Sequence, residues 1–274
     1  MLISLTTDFG LDDGYVGVMK GVISGIAPGA ALVDITHAIA PQHVRAAAYV
    51  LWTTLPYFPQ GSVHLVVVDP GVGTTRRAIA SQTPWGTLVG PDNGVFSYVW
   101  AAAPPALTVA LENPRYQLPA TSSTFHGRDI FAPAAAHLAA GVPLSQFGPE
   151  VVAPKRLPLP SMQVEEGMVR GEVIHIDRFG NVITSIGRLV WDGALLRLDP
   201  AFGAADPLIL NPGRVHVRVA GRDLGPVRRT YGEVAAGAPL ALVGSEGLLE
   251  LAVNQGCAAR DLGLNLGDGV ELAG

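Results

Sequence analysis

The sequence predicts an α/β protein of two domains: an N-terminal α/β sandwich with a mainly parallel sheet, and a smaller C-terminal domain resembling an antiparallel β-barrel. Three observations lead to this prediction. Strand-like and helix-like segments alternate up to about residue 141, prolines become dense over residues 142–160, and short alternating segments separated by Gly, Asp and Pro turns follow. We therefore expect domains at residues 1–141 and 161–274, joined by a proline-rich linker at 142–160.

The N-terminal domain begins with a strand, a helix and a second strand. Residues 2–7 predict a strand that ends at Asp8, and apolar residues from Tyr15 to Ile26 recur at helical spacing until Pro28 and Gly29 end the helix. A strand over 31–35 and a helix over 44–55 follow. The run at 63–68 is mostly apolar and β-branched, which is typical of a parallel strand buried on both faces.

The remaining elements of this domain are shorter. Residues 87–89 predict a strand that ends at the tight turn Gly90-Pro91-Asp92-Asn93-Gly94, before a helix over 95–102. The last helix begins near Asp129, with Pro133 tolerated in its first turn and Gly141 at its C-terminal end.

In the second domain we expect short strands at 171–176, 182–186, 214–220 and 240–243. Only the segment 248–262 has a pattern that could hold much helix.

Composition excludes several classes of protein. The 274 residues are 49% hydrophobic and carry a net charge of −5 with scattered basic residues, so we expect no nucleic-acid partner. No apolar stretch approaches the roughly 18 residues of a membrane span, so no membrane association is expected. The single Cys257 excludes an intrachain disulfide and is interpreted as a packing residue. The N-terminus reads as a strand and not as a signal sequence, and we expect a cytoplasmic protein.

The strand at 63–68 ends at a candidate site. Asp69 follows it directly, Gly71 and Gly73 allow a sharp turn, and Arg76 could fold back toward Asp69. Ligands of open α/β sheets collect at the carboxyl ends of such strands. Alternatively, the Asp and Arg simply pair within a tight turn. A dinucleotide-binding fingerprint is excluded because Arg76 stands where its third glycine is required.

Six motifs in order carry a resemblance to a known family. They are Thr6-Thr7-Asp8-Phe9-Gly10, the segment from Asp69 to Arg76, Gly90-Pro91-Asp92-Asn93-Gly94, Thr124-Phe125-His126-Gly127-Arg128-Asp129, Asp177-Arg178-Phe179-Gly180-Asn181, and the run from Gly244 to Gly256. Together they resemble the S-adenosyl-L-methionine hydroxide adenosyltransferase family, whose relatives include the fluorinase and the chlorinase. The similarity spans nearly the whole chain.

The resemblance implies hydrolysis of S-adenosyl-L-methionine at the ribose C5′, giving adenosine and L-methionine. The family's catalytic trio maps onto Asp69, Arg76 and His126. Asp69 would accept a hydrogen bond or the proton from water, while Arg76 and His126 orient the water and offset developing negative charge. Whether Asp69 or His126 finally holds the proton stays open. The other six histidines are interpreted as ordinary hydrogen-bonding residues.

The resemblance also indicates substrate-binding residues. Asp8 would bind the ribose, with Asp13 near the amino-acid part, and Phe125 and Phe179 are candidates to stack on adenine. Phenylalanines of this kind could equally be core residues. The remaining candidates lie in the second domain: Asp177 and Asn181, which could instead cap a turn, and Ser245, Glu250 and the backbone around Val253.

The resemblance also leads to expectations about cofactors and about the assembly of subunits. The acidic group Asp8, Asp12 and Asp13 raises the question of a metal, but we expect none and no cofactor, because the reaction needs no Lewis acid and S-adenosyl-L-methionine is the substrate. The resemblance implies a homotrimer with the substrate bound between subunits, and we expect this assembly here.

Two alternatives remain. A 5′-halogenase would attack the same carbon with chloride or fluoride, but a carboxylate at the nucleophile position repels halide, and the halogenases resemble one another in lacking the Asp at position 69. A non-catalytic sensor of S-adenosyl-L-methionine or adenosine would keep the pocket but would not need a water-activating trio.

Overall fold

The structure is a computed structural model that describes residues 1–165, 167–202 and 206–273. The chain divides into two units, Met1–Pro158 and Leu159–Gly274. Residues 142–158, which include most of the predicted linker, belong to the first unit, where Phe147 is buried against its core. None of the helices described has both the length and the apolar character of a membrane span.

The first unit is built on a six-stranded mixed sheet in the order β2-β1-β3-β5-β4-β6. Its strands are β1 Leu2–Thr7, β2 Ala31–Thr36, β3 Val63–Val67, β4 Ala78–Thr83, β5 Gly86–Pro91 and β6 Leu107–Ala110. Its helices are α1 Tyr15–Ile26, α2 Val44–Thr54, α3 Ser97–Ala102 and α4 Ala132–Ala139.

The centre of this sheet is parallel and apolar. Strand β1 pairs in parallel with β2 and β3, and β3 pairs in parallel with β5. Every residue of β3 is buried, as its mostly apolar sequence predicts, and the one polar side chain among them is His64. Helices α1 and α4 contact each other and share one core with the sheet, in which Met19 and Ile23 pack with Ile3 and Leu65.

The predicted α/β class is confirmed, but two strands of the first unit are additional to the prediction. Strands β4 and β6 extend the sheet with antiparallel pairings, β4 against both β5 and β6. Strand β4 mixes small and polar residues (AIASQT), so its sequence lacks the apolar run that identifies β3. Its position in the order places β5 between β3 and β4, so the loop from β3 to β4 passes the carboxyl end of β5.

The second unit contains a closed barrel of seven strands. The ring runs β17-β13-β14-β15-β16-β9-β8 and closes by pairing of β8 with β17, while β7 extends β8 and a separate sheet holds β10, β11 and β12. The bounds are β7 Met162–Glu165, β8 Met168–Ile176, β9 Val182–Gly187, β10 Leu189–Asp192, β11 Leu195–Leu198, β12 Leu208–Leu210, β13 His216–Val219, β14 Arg222–Arg228, β15 Pro239–Val243, β16 Leu248–Val253 and β17 Gly269–Ala273, with helix α5 Ala258–Leu262.

The helical expectation for residues 248–262 was wrong over its first part. Leu248–Val253 is strand β16, buried at every position between β15 and β9, and only Ala258–Leu262 is helical. A short apolar run has the same appearance in a buried strand and in a buried helix, so periodicity could not separate the two.

Candidate active site

Asp69 and Arg76 form a buried ion pair just beyond the carboxyl end of β3. The Arg76 Nε donates to Asp69 Oδ1 at 2.9 Å and the Nη2 to Asp69 Oδ2 at 2.5 Å. Both side chains are only 5% exposed, and the Arg76 guanidinium lies 5.2 Å from the centre of the Phe131 ring. A two-point contact of this kind fixes the plane and direction of the carboxylate.

His126 joins this pair through Arg76. The Arg76 Nη2 lies 2.8 Å from His126 Nδ1. Because a guanidinium has no acceptor, the Nδ1 accepts this bond, and the neutral ring must carry its proton on Nε2. Burial, and next the charge of Arg76, lower the pKa of His126, whereas the charges of Asp69 and Asp129 and a backbone hydrogen bond with Ser122 raise it. His126 is therefore neutral at pH 7 and carries its proton on Nε2.

The segment that carries His126 is fixed by an unusual helix start. A π-helical turn, Gly127–Phe131, precedes α4, and such turns occur often at functional sites. Asp129 in this turn is fully buried, pairs with Arg128, and accepts a hydrogen bond from the backbone N–H of Ser122 at 2.8 Å. The buried carboxylate thus holds the loop before His126 against the helix.

The loops that carry the three residues meet at Gly73. This glycine has a φ of +77°, and a Cβ built on it would lie 2.5 Å from the carbonyl oxygen of Ser123. Only glycine combines this backbone conformation with such close approach. Contact between the two loops therefore depends on the absence of a side chain at residue 73.

A cavity of about 400 Å³ in the first unit opens onto Asp69 and His126. One wall is aromatic, because the Tyr15 and Phe125 rings meet edge to face at 5.2 Å and Phe9 packs beside both. The lining residues are Asp8, Phe9, Tyr15, Pro41, Gln42, Val67, Asp69, Pro70, Val72, Thr124, Phe125, His126 and Gly127.

Of the two acidic residues of the first unit that were predicted to bind the substrate, one lines this cavity. Asp8 lines it and accepts a hydrogen bond from the backbone N–H of Gln42 at 2.7 Å. Asp13 is exposed and is not part of this lining. In the described ranges, no group of three or more His, Cys, Asp or Glu side chains is arranged to hold a metal ion.

The second unit brings together three predicted residues and one that the sequence did not indicate. Asp177 Oδ1 accepts the backbone N–H of Asn181, and Asn181 Nδ2 donates to Asp177 Oδ2 at 3.1 Å and to the Tyr231 hydroxyl at 3.4 Å. Tyr231 in turn donates to Glu250 Oε1 at 2.5 Å. Tyr231 belongs to a 3-10 turn capped by Thr230, and nothing in its local sequence indicated this role.

Burial raises the pKa of Glu250, and the nearby charge of Asp177 raises it further, while the hydrogen bond from Tyr231 lowers it. Burial and the Glu250 carboxylate likewise raise the pKa of Tyr231. The cluster therefore keeps a neutral phenol beside a carboxyl group that holds its proton more readily than usual.

The other predicted residues of the second unit lie in different settings. Phe179 is 78% exposed. The Ser245 hydroxyl donates to the Glu246 carboxylate at 3.3 Å. The Val253 side chain is buried in the barrel core, and the carbonyl oxygen of this residue accepts the backbone N–H of Gly256 at 2.9 Å.

A second cavity, of about 460 Å³, lies on the second unit among charged residues. Arg218 stands opposite both Asp223 and Glu271 in the strand register, and Glu271 stands opposite Arg170, whose Nε donates to it at 3.0 Å. The charges of this surface offset one another across the strands.

The α/β fold and the first cavity define a class of protein. A carboxylate held at a strand end by a buried arginine, with a neutral histidine as donor beside it, is typical of an enzyme that positions a small polar nucleophile.

Comparison with known proteins identifies the family within this class. Residues 3–148 match the SAM hydroxide adenosyltransferase N-terminal domain and residues 171–271 match the C-terminal domain of the same family. The chain belongs to the SAM hydroxide adenosyltransferase family.

Individual relatives agree with this assignment. An (R)-S-adenosyl-L-methionine hydrolase of Thermus thermophilus is 48% identical over 97% of each chain. A fluorinase of an Actinoplanes species is 30% identical over 84% of this chain and 93% of its own. The crystal structure of an uncharacterized conserved protein from Thermotoga maritima superimposes with a TM-score of 0.86 at 38% identity, with all of both chains covered.

Proposed function

We propose that this protein hydrolyses S-adenosyl-L-methionine at the ribose C5′ and releases adenosine and L-methionine. Family membership and the similarity to a named hydrolase support this activity. The structural observation that supports this chemistry is the buried Asp69–Arg76 ion pair, which is hydrogen-bonded to His126 beside one cavity.

The chemistry requires little beyond a positioned nucleophile. The sulfonium leaves as a neutral thioether, so the leaving group needs no proton, and water has only to be aligned with the C5′–S bond. We therefore propose that no metal and no cofactor take part. Water attacks slowly unless its proton is accepted as the new C–O bond forms.

Asp69 is the proposed proton acceptor. His126 Nδ1 is occupied by the bond from Arg76, and its Nε2 carries a proton, so the neutral ring can donate to the water oxygen but cannot take its proton. Asp69 retains lone pairs on both oxygens although Arg76 binds them. Arg76 and the His126 Nε2–H then stabilise the negative charge that develops on the attacking oxygen.

Substrate binding involves both groups of predicted residues. In the first unit we propose Asp8 for the ribose hydroxyls, Asp13 as its companion near the amino-acid part, and Phe125 for adenine stacking. In the second unit the proposed contacts are Asp177, Phe179, Asn181, Ser245, Glu250 and the backbone of Val253. Tyr231 adds to these, because its hydroxyl links Asn181 to Glu250.

Assembly is proposed on the same grounds. We propose a homotrimer with its active sites at subunit interfaces, as the family resemblance implies. Exposed apolar side chains near the start of α1 support an interface there: Leu11 is 73% exposed, Tyr15 49% and Val18 45%. A monomer mass by light scattering at micromolar concentration would reject the trimer.

Isotope labelling tests the reaction. The purified protein is incubated with S-adenosyl-L-methionine in ¹⁸O-water, with and without chelator and halide, and the nucleosides are analysed by mass spectrometry. Adenosine that carries ¹⁸O at C5′ at the same rate in chelator is the expected result.

The same experiment separates the alternatives. A 5′-halo nucleoside would establish a halogenase, which the fluorinase relative makes worth testing. Binding of S-adenosyl-L-methionine by calorimetry without product over many hours would instead establish a sensor.

A further inference from the structure

The turn after β5 contacts both ends of the loop that carries Asp69 and Arg76. This turn, residues 92–94, follows β5, the strand that lies between β3 and β4, and the loop joins those two strands. Gly90, near the end of β5, lies so close to the neighbouring β3 that a Cβ on it would lie 2.6 Å from the Val66 carbonyl oxygen. The turn thus lies where the loop begins and ends.

At the beginning of the loop, Asn93 holds the residue before Asp69. Its Nδ2 donates to the carbonyl oxygen of Val68 at 2.9 Å, and its Oδ1 accepts the backbone N–H of Val95 at 3.1 Å. The second bond fixes the amide orientation, so that the first is directed at the peptide group from which Asp69 projects.

At the end of the loop, Asp92 holds the residue after Arg76. The backbone N–H of Asp92 donates to the Arg77 carbonyl oxygen at 2.9 Å, and the Asp92 carboxylate, which is 2% exposed, accepts from Arg77 Nε at 2.8 Å. The same carboxylate accepts the backbone N–H of Lys155 at 2.7 Å, and Arg77 Nη2 donates to the Ala153 carbonyl oxygen.

We propose that Asn93 and Asp92, the latter through Arg77, are positioning residues that set the place of Asp69 and Arg76 relative to His126. Neither needs to touch the substrate, because each acts through the immediate neighbour of a reacting group. The inference rests on the proposed hydrolysis and deepens it. Misplacement of a reacting group by about 1 Å can cost about 10²-fold in rate.

A matched pair of variants tests this inference. Asn93→Asp keeps the acceptor for Val95 but replaces the donor to Val68 with a carboxylate oxygen. Asn113 makes the same two kinds of bond away from the cavity, because its Nδ2 donates to the Gln146 carbonyl oxygen and its Oδ1 accepts the backbone N–H of Arg115. Asn113→Asp is therefore the control for loss of an equivalent bond in the same unit.

We expect the Asn93 substitution to lower kcat and to leave KM nearly unchanged. Asn93→Asp should lower kcat for adenosine formation at least about tenfold with KM within about twofold of wild type, whereas Asn113→Asp should leave both unchanged. Amide hydrogen exchange of residues 69–77 should be faster in Asn93→Asp and unaltered in Asn113→Asp. Equal kcat values for the two variants would overturn the inference.

Two further measurements keep the outcome unambiguous. If Asn93→Asp does not fold, Arg77→Gln takes its place, since Arg77 is 41% exposed and the Gln amide keeps a donor for the Asp92 carboxylate; kcat should again fall at least about tenfold. Wild-type kcat is measured first. An inactive wild type would refute the proposed hydrolysis, while the hydrogen-exchange comparison would still decide whether the turn holds the loop.

Discussion

Replacing Gly73 with alanine should separate the two loops of the candidate active site. The added Cβ would lie 2.5 Å from the Ser123 carbonyl oxygen, whereas ordinary contact begins at 3.4 Å, so the loops must move apart by about 0.9 Å. The bond between Arg76 Nη2 and His126 Nδ1, 2.8 Å in the native protein, spans this same junction.

The magnitude follows from that displacement. A shift of about 1 Å between reacting groups can cost about 10²-fold in rate, so we expect kcat for S-adenosyl-L-methionine hydrolysis to fall by about that factor. The positive φ of residue 73 adds a separate cost in stability of about 1–2 kcal/mol for any L-residue. Stability and rate must therefore be measured together.

Gly61 provides the control. Its φ of +81° is close to the +77° of Gly73, but a Cβ there meets nothing within 4 Å. Gly61→Ala should lower the unfolding temperature as Gly73→Ala does through backbone strain, and should leave kcat unchanged. The assay is adenosine formation at saturating substrate, with thermal unfolding of both variants in parallel. If the kcat of Gly73→Ala stays within about threefold of the kcat of Gly61→Ala, the loop contact does not control catalysis.

Four further predictions test individual groups. Asp69→Asn should lower hydrolysis at least about a hundredfold, and wild-type turnover in this variant would exclude Asp69 as the base. Because the pKa of His126 is lowered from its usual value of about 6.5, kcat should stay constant as the pH falls to about 6.5 and decline only at lower pH; a decline that begins above about pH 6.5 would contradict a neutral ring. Tyr231→Phe should raise the pKa of Glu250 further, measured by NMR titration, since the lost hydroxyl favours the ionised form; an unchanged pKa would contradict this bond. Burial lowers the pKa of His64 to about 4 in the folded protein, against about 6.5 in the unfolded chain. As the pH falls below about 6.5, the unfolded state takes up a proton before the folded state does, so the unfolding free energy should drop by roughly 3 kcal/mol by about pH 4. His64→Gln should remove that dependence on pH.

The parts of the fold that sequence could predict are those with local patterns. Strand β3 is apolar except for His64, and α1 has clear helical spacing; both elements formed as expected. Strand β16 has the same apolar character as a buried helix, and its identity is decided by pairing with β15 and β9. The small residues of β4 become a strand through pairing with β5, which no local signal records.

The candidate site follows the same rule. Asp69 and Arg76 are seven residues apart, so a turn could be predicted to pair them, and His126 was found through family resemblance. Their catalytic roles stay predictions. Tyr231 lies 50 residues from Asn181 and 19 from Glu250, and only the closed barrel brings these side chains together. Contacts of that kind come from tertiary structure and have no signature in a single sequence.

The contacts of Lys155 and Ala153 with Asp92 and Arg77 bear on where the protein can be cut. The family's N-terminal domain is matched only to residue 148. Hydrogen bonds nevertheless hold the chain to the first unit as far as Leu157, whose backbone N–H donates to Ser97 Oγ at 2.7 Å. A fragment that stops at residue 148 would lose these hydrogen bonds, and the Asp92 carboxylate would no longer accept the backbone N–H of Lys155. The segment matched by the family's N-terminal domain is thus shorter than the structural unit. A truncated or circularly permuted protein should therefore keep residues 149–158 with the first unit.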